Sequence, residues 1–118
     1  MACELRSLTR GDFENWFGHP PSNTLRGVVG IVDGVIVGIG GVVYEDHIAK
    51  AFMELRPEAR RYKRDIIRGA RWVVEMMERE HKLVYAVAQD QENAPVFLKH
   101  FGFKPVESSL GEVYQWRS

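Results

Sequence analysis

Apolar positions recur along this chain with two different periods. Leu25 to Val32 is apolar and β-branched, Val35 to Tyr44 repeats the pattern, and Ile48 to Leu55 follows it. These segments predict three strands in an antiparallel meander. Asp33-Gly34 separates the first two, and this pair tolerates the positive φ angles of a type I′ hairpin turn. Glu45, Asp46 and His47 make the next turn. Gly38, Gly40 and Gly41 fall inside the return strand, where glycine marks a bulge or a close backbone approach. The string Gly38-Ile39-Gly40 leads into a strand and not a helix, which excludes a dinucleotide-binding fingerprint.

Upstream, Cys3 to Leu8 reads as a short strand and Thr9 to Gly11 as its break. Asp12 to Phe17 reads as a short helix with Phe13, Trp16 and Phe17 on one side, capped by Thr9 or Asp12. Gly18 to Asn23 is loop by composition. Downstream the period changes. Pro57 and Glu58 open a helix that runs to about Glu80. Its buried stripe is Tyr62, Ile66, Ala70, Val73, Val74 and Met77. Lys82 to Ala88 is a continuous apolar strand of the kind buried on both faces. Glu92 to Phe101 forms a second helix that ends at Gly102. Phe103 to Val106 and Glu112 to Trp116 are strands around a turn at Ser108 to Gly111. The order β-α-β-β-β-α-β-α-β-β implies an α/β (α+β) fold with a mixed, mostly antiparallel sheet and helices on both faces.

The 118 residues fit one domain spanning 1–118. The formal net charge is zero, so bulk charge gives no reason to expect nucleic acid or a membrane as partner. No apolar run is long enough to cross a bilayer, and the first residues lack a signal-peptide core. The lone Cys3 gives no sign of an oxidising compartment. The cytoplasm, or a particle assembled inside a cell, is the expected location. His19, His47, His81 and His100 show no metal-ligand spacing.

Four segments resemble the GCN5-related N-acetyltransferase (GNAT) superfamily. "VDGVIVGIGGVV" is similar to its second and third strands. "FMELRPEARR" is similar to its fourth strand running into the acyl-CoA loop and long helix. "KLVYAVAQDQENAP" matches its fifth strand and the entry to the next helix, and "FLKHFGFKPV" its closing motif. The resemblance covers roughly Leu25 to Trp116. One helix stands near the N-terminus where these proteins have two, and those helices normally build the substrate side of the groove. The helix start "EARRYKRDII" is similar to short phage proteins of GNAT type, including an internal virion protein of T7-like phages.

The resemblance implies acetyl-CoA as cofactor and an amine of unknown identity as acceptor. The family's loop has the form Q/R-x-x-G-x-G/A and holds the CoA pyrophosphate on backbone N–H groups at a helix start. Arg60 takes its first position, while Lys63 and Asp65 stand where small residues belong. Those side chains are expected to crowd the pyrophosphate, and Asp65 to repel it. Charge placement points the other way. Arg56, Arg60, Arg61, Lys63, Arg64, Arg68 and Arg71 crowd the front of the helix region, and Glu75, Glu78 and Glu80 its end. That order opposes the helix macrodipole, at about 0.3–1 kcal/mol per charge near a terminus. An anion held at the helix start explains it. The alternative is a solvated face braced by Arg61–Asp65, Arg71–Glu75 and Glu75–Arg79 pairs.

Carried over residue by residue, the resemblance assigns cofactor binding to Met53, Leu55, Arg60, Arg61, Tyr62, Lys63, Arg64, Gln91 and Asn93. Gln91 falls at the family's Asn position, with Asn93 as its substitute. Leu98 falls where many members have a Tyr that protonates the leaving thiolate, and leucine has no proton to give. Glu54 on the fourth strand is the candidate general base, with Glu45, Asp46 and His47 behind it; otherwise Glu54 is an outward-facing strand residue. Trp72, Trp116, Phe97 and Phe101 read as core or interface anchors.

Three functions follow. The first is an acetyl-CoA-dependent N-acyltransferase with a degenerate phosphate loop. The second is a catalytically inactive GNAT-fold phage structural or internal virion protein, with other virion proteins or a second copy as partner. The third is a nucleic-acid-binding module, which the neutral charge and the lack of aromatic–basic interleaving disfavour.

Overall fold

A computed structural model describes residues 3–21, 24–45, 47–81, 83–87, 94–106 and 113–117. Among these residues seven strands form one sheet in the order β1-β2-β3-β4-β5-β7-β6. They are β1 (Glu4–Ser7), β2 (Leu25–Val32), β3 (Val35–Glu45), β4 (Ile48–Leu55), β5 (Leu83–Val87), β6 (Lys104–Pro105) and β7 (Val113–Arg117). The helices are α1 (Arg10–Phe17), α2 (Lys63–Glu80) and α3 (Ala94–His100). Every strand pairing is antiparallel except β4 with β5. The mixed, mostly antiparallel sheet is therefore as the residue pattern implies.

Local chemistry sets the joints. Asp33 and Gly34 carry φ angles of 53° and 80°, so the β2–β3 hairpin closes on a turn with both central residues left-handed. Gly27 and Gly41 face one another in that hairpin. A Cβ on Gly41 would lie 2.2 Å from the Arg26 carbonyl oxygen, so only glycine permits this backbone approach. Register slips between Gly30 and Ile31, with Val37 as the extra residue. Thr9, and not Asp12, is the N-cap of α1. Asp12 is its reciprocal partner: the Asp12 N–H donates to Thr9 Oγ1 at 3.0 Å, and the Thr9 N–H donates to Asp12 Oδ2 at 2.9 Å. At the end of α3 the Phe103 N–H reaches the Leu98 carbonyl and the Gly102 N–H the Lys99 carbonyl, with Gly102 at φ +94°. That is a Schellman stop.

Two expectations are corrected. The long helix is not continuous from Pro57. A 3₁₀ turn spans Pro57–Arg61, Tyr62 leaves helical geometry at φ −115° and ψ 50°, and α2 starts at Lys63. The 3₁₀ turn buries Ala59 against the sheet before the chain changes direction. Nor is β5 buried on both faces. Val84 and Ala86 are buried, while Leu83 and Tyr85 are half-buried and Val87 is 55% exposed. The cause is helix placement. α2 and α3 pack on one face, with Val73, Met76, Met77 and Leu98 against Val42, Val84, Ala86, Tyr114 and Trp116. α1 packs on the other face, with Phe13 and Phe17 edge-on to Phe52 of β4. Met76, outside the predicted stripe, is fully buried beside Met77. No helix among the described residues is long and apolar enough to cross a membrane.

Candidate functional site

The sheet opens beside its parallel pair. β3 and β4 stay in register from Glu45↔Ile48 to Gly38↔Leu55. Among the described residues, β4 and β5 pair only at Lys50↔Tyr85 and Ala51↔Ala86. From Phe52 onward β4 runs on without a described partner on its β5 side, so backbone groups that point that way lack a ladder. A cavity of about 570 Å³ occupies this splay, well within the size range of small-molecule sites. Met53, Leu55, Tyr62, Ile66, Phe97 and Leu98 line it from the α2/α3 side, and Phe17, Phe52, Glu54, Tyr85 and Val87 from the α1 side.

Strand alternation sorts the residues of β4. Phe52 and Glu54 share one face, Ala51, Met53 and Leu55 the other. Glu54 is half-buried, and its Oε1 accepts a hydrogen bond from Trp16 Nε1 at 3.4 Å. The Arg56 guanidinium sits 4.7 Å from the centroid of the Trp16 ring, a cation–π contact. A carboxylate, an indole and a cation thus stack at the α1 mouth of the cavity. The residue pattern marks Trp16 only as one of the apolar residues of its helix. Its role needs α1 folded onto β4, which no spacing along the chain reveals.

The other mouth faces the start of α2. No side chain caps that helix. The N–H groups of Lys63, Arg64 and Asp65 have no acceptor among the described residues, so the positive end of the macrodipole is open. Arg60, Arg61, Lys63 and Arg64 surround it, all exposed and none in an ion pair among the described residues. Asp65 lines the cavity, but its carboxylate is held by Arg68 at 2.9 Å, one turn on. The i,i+4 pairs of Arg61 with Asp65, Arg71 with Glu75, and Glu75 with Arg79 do not form. Local pairing therefore leaves most of the front-end charge unspent.

The structure thus brings Met53, Leu55 and Tyr62 to the cavity wall, sets Arg60, Arg61, Lys63 and Arg64 about the helix start, and places Glu54 across the sheet from them. Gln91, Asn93 and Asp46 lie outside the described residues. No group of three metal-ligating side chains occurs among the described residues. Away from the site, the Arg6 guanidinium grips Asp12 through two contacts and holds its carboxyl at about 2, below its ordinary 3.8. Burial pushes the Cys3 thiol up.

No family model matches the chain, and no curated protein matches its sequence. Solved structures do match its shape. The PaiA N-acetyltransferase of Thermoplasma acidophilum, in complex with coenzyme A, superposes with a TM-score of 0.66 at 12% identity over 100% of both chains. The ribosomal-protein-S18-alanine N-acetyltransferase of Escherichia coli gives 0.64 at 12% identity, over 96% of this chain and 90% of that one. Ard1 from Thermoplasma volcanium gives 0.59 at 16% identity, over 98% and 95%. The chain has the GNAT fold.

Proposed function

We propose that this protein is an acyl-CoA-dependent N-acyltransferase, with acetyl-CoA as donor. One observation carries the reading: an uncapped, cation-ringed helix start opens onto an apolar cavity in a splayed sheet. That juxtaposition suits a ligand with an anionic head and a long, thin, largely apolar arm. The α2 N–H groups of Lys63, Arg64 and Asp65, with Arg60 and Arg61, would hold the pyrophosphate. Met53, Leu55 and Tyr62 would flank the arm. Acetyl-CoA supplies a thioester activated toward amines. Glu54 takes the proton of the attacking amine as the C–N bond forms, and when the C–S bond breaks coenzyme A leaves with the electron pair as a thiolate that solvent protonates. Unladdered backbone N–H groups of β4 beyond Ala51 steady the charge on the thioester oxygen.

Leu98 favours a second reading. It lines the cavity where the family's acid often stands, and a cleft kept without proton transfer suits a GNAT-fold structural protein of a phage particle.

Calorimetry with acetyl-CoA tests the first reading. Binding is expected, and Arg60→Ala and Arg64→Ala should each weaken it about two- to fivefold, the worth of one exposed charge near a helix terminus. Absence of heat from the wild-type protein would leave the structural reading in its place.

A further inference from the structure

Part of the sheet's α1-side face has no helix over it among the described residues. α1 meets β4 at Phe52 and Glu54. Beyond it, register aligns Lys50, Tyr85, Gln115 and Lys104 in one row across β4, β5, β7 and β6. Val87 pairs with Val113 on one side of that row, and Leu83 with Arg117 on the other. Alternation puts all of these on the face of Glu54. The strip is apolar at its centre: Val87 is 55% and Ile48 40% exposed, and Leu83, Tyr85 and Val113 are half-buried. Its far edge is basic. Lys104 and Arg117 are exposed, and neither forms an ion pair among the described residues.

This strip is continuous with the cavity. Ile48, Tyr85, Val87 and Val113 line the same opening as Glu54. An occupant that reaches the splay must therefore cross or abut them. From β4 to β6 is three strand spacings, about 14 Å, which an extended chain covers in roughly four residues. A small amine at Glu54 would leave the strip bare. Among the described residues α1 flanks the strip at Phe52, and the strip leads from there toward Lys104 and Arg117. That geometry suits a chain end and not a side chain in mid-sequence.

We propose that the acceptor is a polypeptide amino terminus whose first residues are apolar and whose next residues are acidic, laid over Val87, Tyr85 and Val113 toward Lys104 and Arg117. The inference rests on the acyltransferase reading above and names its substrate class.

The test compares acetyl transfer from acetyl-CoA to two acceptors. One is a hexapeptide with two apolar and then three acidic residues at its amino end; the other is its first amino acid as the amide. The peptide is expected to show a kcat/KM at least about tenfold higher, from the apolar surface it buries. Val87→Lys, and Lys104→Glu with Arg117→Glu, should remove that advantage through KM. The Lys104→Glu, Arg117→Glu pair, which lies outside the cavity lining, should leave the amide rate and acetyl-CoA affinity unchanged. Equal rates on both acceptors would overturn the proposal while acetyl-CoA binding keeps the acyltransferase reading intact. A dimer by light scattering that Val87→Lys dissociates would also overturn it, since a second copy would then cover the strip. A wild-type chain that binds no acetyl-CoA would overturn both.

Discussion

Asp12→Ala tests how α1 is held against β1. The Asp12 carboxylate makes two contacts with Arg6, at 2.7 and 3.1 Å, and accepts the Thr9 N–H at 2.9 Å. It therefore ties β1 to α1 and completes the capping box. Its acidity sets the scale of the ionic part. A fall from 3.8 to about 2 has an upper limit of roughly 2.5 kcal/mol. Because the Arg6 side chain is 44% exposed, solvent screening reduces this to on the order of 1 kcal/mol. The lost back-bond to Thr9 adds about 0.5–1 kcal/mol. Asp12→Ala should thus cost about 1.5–2 kcal/mol at pH 7, read from urea unfolding followed by tryptophan fluorescence. The sign of the pH dependence follows from the lowered acidity. The folded state holds its proton more weakly than the unfolded one, so the ionic part is fully present above about 4 and fades as pH falls toward 2. The gap between wild type and variant should narrow over that window. A gap of the same size at pH 7 and at pH 3 would show that the Asp12 charge is not the source and would refute the argument.

Other substitutions probe separate joints. Gly102→Ala forces a side chain into a left-handed position at φ +94° with its Cβ 3.3 Å from Trp116 Cδ1, and should cost about 1–2 kcal/mol in denaturant melts. Met76→Ala empties a fully buried position between α2 and the sheet, for about 2–5 kcal/mol by thermal or urea unfolding. Lys63→Gly removes the side chain at a loop position where GNAT proteins carry a small residue, and calorimetry should show tighter acetyl-CoA binding; unchanged or weaker affinity would remove crowding as a defect of this loop.

Much of the architecture was legible in the residues because its signals are local. The bounds of β2 and β4, the Asp33-Gly34 turn and the Gly102 stop depend on neighbours within a few positions, where period, positive φ and turn chemistry act directly. Alternation also put Glu54 opposite Met53 and Leu55. What alternation cannot say is which helix covers which face. That choice depends on contacts between segments far apart in the chain, and it decided the rest: the indole of Trp16 came to Glu54, and Met76 became core. The same choice left β5 with a helix over one side only among the described residues, so a run of apolar residues became a half-open strip. The break at Tyr62 and the Asp65–Arg68 pair have the same origin. Propensity favours one long helix, but the exit from β4 and the burial of Ala59 bend the chain before α2 can start.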